Sequence, residues 1–209
     1  MATPNHKLPG YKVLSSTADA ETRVKRSRFI AHIAAVDSED EAKAAVKEME
    51  QKFHDSRHVC FAWILGYGEE IKYHSTDAGE PSGSAGEPIL GVLKKHEVTN
   101  AVAIVVRYFG GIKLGTGGLG RAYKECAALA LEKCETKFIA FGNDFEVTFL
   151  YHFLGSIEHL LDKHDGKVLQ RNFDEDVNLF IWLPEGREKS FGSELNELSS
   201  GTVKLKARP

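Results

Sequence analysis

An apolar strand that runs into a glycine-rich loop and then a helix is the feature that most constrains the fold of this chain. The segment is VAIVVRYFGGIKLGTGGLGRAYK, from Val102 to Lys124. A continuous apolar strand of this kind is typical of the middle of a sheet that is covered on both faces. We therefore predict a buried strand over 99–106 and a helix over 119–134, in a protein of mixed α and β structure.

This segment carries only positive charge: Arg107, Lys113, Arg121 and Lys124 have no acid among them, although the chain has a formal net charge of -3. The first N–H groups of a helix are unpaired and partly positive, and glycines let an anion approach them closely. The pattern predicts contact with a phosphate or a nucleic-acid backbone. The predicted contact residues are Arg107, Tyr108, Gly110, Gly111, Lys113, Gly115, Gly117, Gly118 and Arg121.

Known nucleotide motifs do not explain this loop. Gly115, Gly117 and Gly120 spell G-x-G-x-x-G, but about eight residues separate the strand from the first of these glycines, whereas that fingerprint needs a tight turn directly after the strand. A Walker A loop would end in Gly-Lys-Ser/Thr, which is absent from the segment. We expect no cofactor. A purely structural role also stays open, because glycines allow sharp reversals and close packing of a helix on a sheet.

Other residues near the loop allow two interpretations. Phe109 and Tyr108 flank the cations and would either stack on bases or pack beneath the loop. A second group of cations would form another basic patch or would simply protect an edge strand from pairing. This group consists of Arg23, Lys25, Arg26 and Arg28.

A polar loop over 75–86 is the other segment with candidate chemistry. Its acids would bind a divalent cation or act as acid and base, and its serines would act as nucleophiles. No recognised catalytic or metal spacing is present, so we predict neither a catalytic residue nor a metal site, and turn and cap roles are the simpler interpretation. The residues of this second candidate site are Asp77, Glu80, Ser82 and Ser84, with His58, which shares a strand face with Cys60.

Capping patterns predict two helix starts. Ser38 and Glu41 form a capping box before an amphipathic helix. Pro88 favours the first helical position, since a later position would need the N–H that proline lacks, and this makes Glu87 the predicted N-cap of the next helix.

The pattern of strands and helices restarts near residue 142. From Phe145 onward the order is βαββαβ, which is typical of a ferredoxin-like domain. We therefore predict two domains, 1–142 and 143–209.

The three cysteines are an odd number without metal spacing, and the chain shows no signal peptide and no apolar run long enough for a membrane span. A cytoplasmic protein with free thiols and no contact with a membrane is expected.

Three separated blocks, SRFIAHIAAV, GEPSGSAGEPIL and RYFGGIKLGTGGLGRAY, resemble the YigZ and IMPACT family. The resemblance covers residues 28–123. It implies a first domain like domain 2 of ribosomal protein S5 and a ferredoxin-like second domain that resembles a domain of elongation factor G. It also implies a role in translation, since eukaryotic relatives regulate translation through a protein partner and bacterial members are thought to bind nucleic acid.

From this resemblance we expect a non-enzymatic cytosolic regulator that binds RNA or the ribosome, with a translation-related protein as a further partner. The alternative is an enzyme or binding protein for a small phosphorylated or nucleotide-like ligand with a metal–phosphate site. The chain departs from the family at Ala78, where relatives usually have a second acid, and at Glu87. The family positions are Asp77, Gly79, Glu80, Pro81, Gly83, Ala85, Gly86, Arg107, Tyr108, Phe109, Gly110, Gly111, Leu114 and Gly115.

Overall fold

The computed structural model describes residues 8–208. Contacts between residues divide this part of the chain into two compact units: Tyr11–Ile139 is one, and residues 140–208 with 8–10 form the other. Each unit has its own apolar core. Up to residue 140 the elements are β1 (Gly10–Leu14), β2 (Ala18–Val24), β3 (Ser27–Ala35), α1 (Glu39–Lys52), β4 (His58–Leu65), β5 (Lys72–Thr76), α2 (Gly86–Lys95), β6 (Ala101–Tyr108), α3 (Thr116–Leu131) and β7 (Thr136–Ala140).

The first unit is built on a five-stranded antiparallel sheet in the order β2-β3-β6-β4-β5. The central strand is β6, and every residue of it from Ala101 to Arg107 is buried. Helices α2 and α3 pack on one face of the sheet and α1 packs on the other. The prediction of a strand covered on both faces is confirmed, and β1 and β7 form a separate two-stranded sheet.

The second unit has the predicted βαββαβ order, which is confirmed. Its four strands form a sheet in the order β11-β8-β10-β9, in which every neighbouring pair is antiparallel. The likeness of the first unit to S5 and of the second to an elongation-factor domain stays a prediction. The elements are β8 (Gly142–Phe149), α4 (Leu154–Lys163), β9 (Lys167–Phe173), β10 (Val177–Pro184), α5 (Glu188–Leu198) and β11 (Leu205–Ala207).

The predicted start of α1 is confirmed and that of α2 is wrong. Ser38 Oγ accepts a hydrogen bond from the Glu41 N–H at 3.2 Å, as a capping box requires. Helix α2 begins at Gly86 with Ala85 as the N-cap, so Pro88 occupies the third helical position. That position needs no N–H, because the first turn of a helix has no intrahelical acceptor for it. The first N–H of α2 to bond within the helix is that of Ile89, to the Ala85 carbonyl.

The start of α3 also differs from prediction. Helix α3 begins at Thr116, three residues before the expected start, and its first turn therefore contains Gly117 and Gly118. Strand β2 ends at Val24 because Lys25 and Arg26 have positive φ angles and form the turn to β3. No helix in residues 8–208 is long and apolar enough to cross a bilayer.

Candidate functional site

The segment from the end of β6 into the first turn of α3 holds three kinds of glycine. Gly110 packs against the β2–β3 turn, where a Cβ would overlap the main chain of Arg26 and Ser27. Gly111 and Gly115 have φ angles of +83° and +72°, which favour glycine. Gly117 has neither constraint, since a Cβ there would meet nothing within 4 Å. Packing and backbone conformation therefore explain the first three glycines and leave Gly117 without a structural reason.

The start of α3 is open. Its N-cap is Gly115, which has no side chain to bond the first N–H groups. The first main-chain bond of the helix is from the Leu119 N–H to the Gly115 carbonyl at 2.9 Å. Among residues 8–208 no acceptor lies on the N–H groups of Thr116, Gly117 or Gly118. These donors therefore have no acceptor within the described protein, and Thr116 and Gly117 are exposed.

Arg107 does not lie at this open site. Its residue is only 5% exposed, and its guanidinium forms an ion pair with Glu80 at 2.7 Å. The predicted contact of Arg107 with an external anion is therefore not supported, because an internal carboxylate already pairs with it. The partner comes from the loop before α2, 27 residues earlier in the chain, so a charge count along the segment could not find it. Arg107 is a structural residue that joins the two sequence blocks.

Tyr123 and Cys60 extend this ion pair into a buried network. The Tyr123 hydroxyl donates to Glu80 Oε1 at 2.8 Å, and the Cys60 thiol donates to the Asp77 carbonyl at 3.0 Å. Burial raises the pKa of Tyr123, and it raises the pKa of the Cys60 thiol to about 12, so both side chains stay protonated near neutral pH. Sequence reasoning missed this bond of Tyr123. The signal was available, because a buried tyrosine hydroxyl requires a partner.

Asp77 fills the start of α2. Its carboxylate accepts hydrogen bonds from the N–H groups of Gly83, Ala85 and Gly86 at 2.8–2.9 Å. Burial opposes ionisation of Asp77, but these donors outweigh it and hold the pKa below its usual value. The turn and cap interpretation is thus confirmed for Asp77.

The remaining members of the second candidate site do not converge with Asp77 on one point. Ser84 is buried and donates to the Pro81 carbonyl, whereas Ser82 is exposed. His58 Nδ1 lies 3.0 Å from the carbonyl of Ala78, a residue with a φ of +44°. Within residues 8–208 there is no cluster of three or more His, Cys, Asp or Glu side chains that would hold a metal ion.

Tyr108 and part of the second basic patch are already paired. The Tyr108 hydroxyl donates to Asp55 Oδ1 at 2.6 Å, and this bond raises the pKa of Tyr108. Arg23 and Arg28 both contact Glu21, at 3.2 and 2.7 Å.

Other cations near the loop are exposed and have no ion pair within 4.0 Å in the part of the chain that the structure describes. Two of them form the β2–β3 turn against which Gly110 packs, and the others lie in the loop and on α3. They are Lys25, Arg26, Lys113, Arg121 and Lys124. Positive charge without an ion-pair partner among residues 8–208 therefore lies on the β2–β3 turn, in the loop after β6 and on α3.

Comparison with known proteins covers both units. The Impact N-terminal domain matches residues 25–131, and a second match, "Domain of unknown function (DUF1949)", covers residues 147–202. The IMPACT family member YigZ of Escherichia coli (strain K12) is 37% identical over 185 residues, which are 88% of this chain and 91% of that protein. The IMPACT family member YvyE of Bacillus subtilis (strain 168) is 32% identical over 199 residues, or 95% and 91% of the two chains.

A solved structure, described as the crystal structure of an hypothetical protein, is similar along the whole chain. It has 33% sequence identity and a TM-score of 0.61, and the match covers 97% of this chain and 98% of that one. The match to the Impact domain includes the loop before α2, strand β6 and all of α3. The chain therefore belongs to the IMPACT family.

Proposed function

We propose that this chain is a cytosolic, non-enzymatic regulator of translation that binds RNA, alone or on the ribosome. The proposal is carried by one observation: the first turn of α3 has N–H donors without an acceptor among residues 8–208, and the exposed cations of the preceding loop and of α3 have no ion pair there. The role in translation follows from the family resemblance, and the site supplies the ligand class.

An RNA backbone matches the chemistry of this site. Phosphate oxygens accept hydrogen bonds from a helix N-terminus, and the partial positive charge of the helix favours them. Lys113 precedes the helix and Arg121 lies one turn into it, so both contribute charge at the same end. Several phosphates in a row use such a distributed set of cations better than a single small anion does.

The alternative of a metal-dependent enzyme is less well supported. Three of the roughly four acceptor positions of the Asp77 carboxylate are already used by backbone N–H groups, which leaves it little capacity to bind a cation. Glu80 would have to leave a buried ion pair, and its side chain is only 4% exposed. Breaking such a pair leaves an uncompensated charge in the interior.

Fluorescence anisotropy with a labelled RNA stem-loop tests the proposal. We expect binding at low salt that weakens steeply as salt rises, because counterions are released from the RNA. The double variant Lys113→Gln/Arg121→Gln should weaken binding at least about tenfold at low salt and reduce the salt slope by about 2. The matched control is Lys43→Gln/Lys47→Gln, which removes the same charge from exposed positions of α1 and should leave the affinity unchanged.

Two results would count against the proposal. One is an affinity for RNA no higher than that of an unrelated acidic protein at low salt. The other is thermal stabilisation by a nucleotide that requires magnesium and is lost in Asp77→Ala, since this result would favour the enzyme. Co-sedimentation with ribosomes separates binding to free RNA from binding to the ribosome or to one of its proteins.

A further inference from the structure

We infer that the loop after β6 selects RNA with unpaired nucleotides, and that Phe109 is the surface on which a base stacks. The inference rests on the proposed function and adds the structural class of RNA that the site takes. Its starting point is the exposed ring of Phe109, which contacts the buried guanidinium of Arg107.

Phe109 is held by the buried network although its ring reaches solvent. The residue is 54% exposed, yet the Arg107 guanidinium carbon lies 5.3 Å from the centre of its ring. Arg107 is in turn fixed by Glu80 and by the ring of Phe29, whose centre is 5.7 Å from the same guanidinium carbon. This contact restricts the ring before a ligand binds, so less conformational freedom is lost when a base stacks on its open part.

The surroundings of Phe109 fit a nucleic acid strand. The next residue, Gly110, packs against the turn that carries Lys25 and Arg26, and Lys113 follows four residues after Phe109. These three cations are exposed and have no ion pair among residues 8–208. Ile112 adds apolar surface in the same loop and is 41% exposed. Aromatic rings that are interleaved with cations along a groove or loop are how proteins hold single-stranded nucleic acids.

A duplex cannot use this arrangement. Its bases are stacked on one another inside the helix, so a protein ring reaches them only in loops, bulges and single strands. A protein partner fits less well, since the central part of a protein interface is usually depleted of charged residues, whereas here the cations flank the ring. We therefore assign the site to RNA with unpaired bases.

Three probes with the unaltered protein test the inference. They are a single-stranded RNA in which one base is 2-aminopurine, the same sequence paired into a duplex, and inorganic polyphosphate of similar charge. We expect the single strand to bind about tenfold tighter than either of the others, given the usual contribution of one stacked base. The 2-aminopurine fluorescence should be quenched on binding.

Variants at Phe109 locate the stacking surface. Phe109→Leu should weaken binding of the single strand about tenfold and abolish the quenching, while Phe109→Tyr, which keeps a ring, should retain both. Phe138→Leu is the matched control, because Phe138 is also an exposed phenylalanine of this part of the chain, at 44%.

Equal affinity for single strand, duplex and polyphosphate would overturn the inference. So would unchanged single-strand binding in a folded Phe109→Leu protein. In both cases binding to the phosphate backbone would remain, and the proposed function would stand. If the unaltered protein instead binds no RNA at all, this result contradicts the proposed function and therefore also the inference.

Discussion

Helices α2 and α3 both begin after a glycine-containing loop, but the protein fills the start of one and leaves the other open. At α2, Asp77 binds three N–H groups of the loop and the first turn. At α3, Gly115 offers no side chain, and no acid of residues 8–208 contacts the nearby cations Lys113 and Arg121. Glycine content alone therefore does not distinguish a closed helix start from an open one. What distinguishes the two helix starts is whether an acidic side chain accepts hydrogen bonds from the first N–H groups, as Asp77 does at α2.

The largest expected effect on stability comes from breaking the buried ion pair between Arg107 and Glu80, which holds the loop before α2 against β6. Glu80→Ala leaves Arg107 buried without its counterion, so the free energy of unfolding should fall by about 3–5 kcal/mol. Urea denaturation measures this loss. Glu21→Ala is the control, because it removes an acid from exposed ion pairs and should cost less than about 1 kcal/mol. Equal losses in the two variants would show that the pair is not buried.

Removal of the acid that fills the start of α2 should have the next largest effect. Asp77→Ala leaves three N–H donors without their acceptor, and we expect a loss of about 2 kcal/mol in the free energy of unfolding. Ser82→Ala changes an exposed residue of the same loop and should stay within about 0.5 kcal/mol of the unaltered chain. RNA affinity should be retained in both variants under conditions where they are folded. A loss of affinity in Asp77→Ala alone would mean that the two helix starts are not independent.

At acidic pH, the unaltered chain and Asp77→Ala should have the same free energy of unfolding. The pKa of Asp77 is lower in the folded than in the unfolded protein, so its contribution to stability is complete above the unfolded value of about 4. That contribution is lost as the pH falls through the folded pKa, where the carboxylate takes up a proton in both states. Urea midpoints measured from neutral to acidic pH should therefore converge for the two proteins. A gap that stays constant down to low pH would contradict this account.

The smallest effect on stability is expected where an acid is introduced at the open start. Gly117→Asp places a carboxylate in the first turn of α3, at a position where a Cβ meets nothing within 4 Å. The unfolding free energy should rise by about 0.3–1 kcal/mol through the helix dipole, while RNA affinity falls because the carboxylate competes with phosphate. Ala44→Asp adds the same charge to exposed α1, on the other face of the sheet, and should leave RNA affinity unchanged. Unchanged affinity in Gly117→Asp would place the RNA elsewhere.

Local patterns were sufficient to predict most of the fold. The apolar run of β6, the Ser38 capping box and the βαββαβ order all depend on neighbours within a few residues, and the structure confirms them. The start of α2 was mispredicted because it is decided by Asp77, whose carboxylate reaches an N–H nine residues later.

The candidate site was harder to predict than the fold. Cations could be counted from the sequence, but their partners could not, because Glu80 reaches Arg107 only through the pairing of strands and the path of a loop. Sequence therefore indicated where positive charge is concentrated. The three-dimensional arrangement was needed to separate the cation that is used internally from Lys113 and Arg121, which remain exposed.

The ion pair between Arg107 and Glu80 also constrains how the sequence can change over time. Loss of either residue strands a charge in the interior, so a single substitution passes through an unstable chain, and only a coordinated replacement of both avoids this. We therefore expect the loop before α2 and the end of β6 to tolerate change only together, although the proposed binding surface follows β6 alone. The exposed residues Lys113 and Arg121 carry no such structural constraint, so a substitution there changes the charge of the surface without destabilising the frame beneath it.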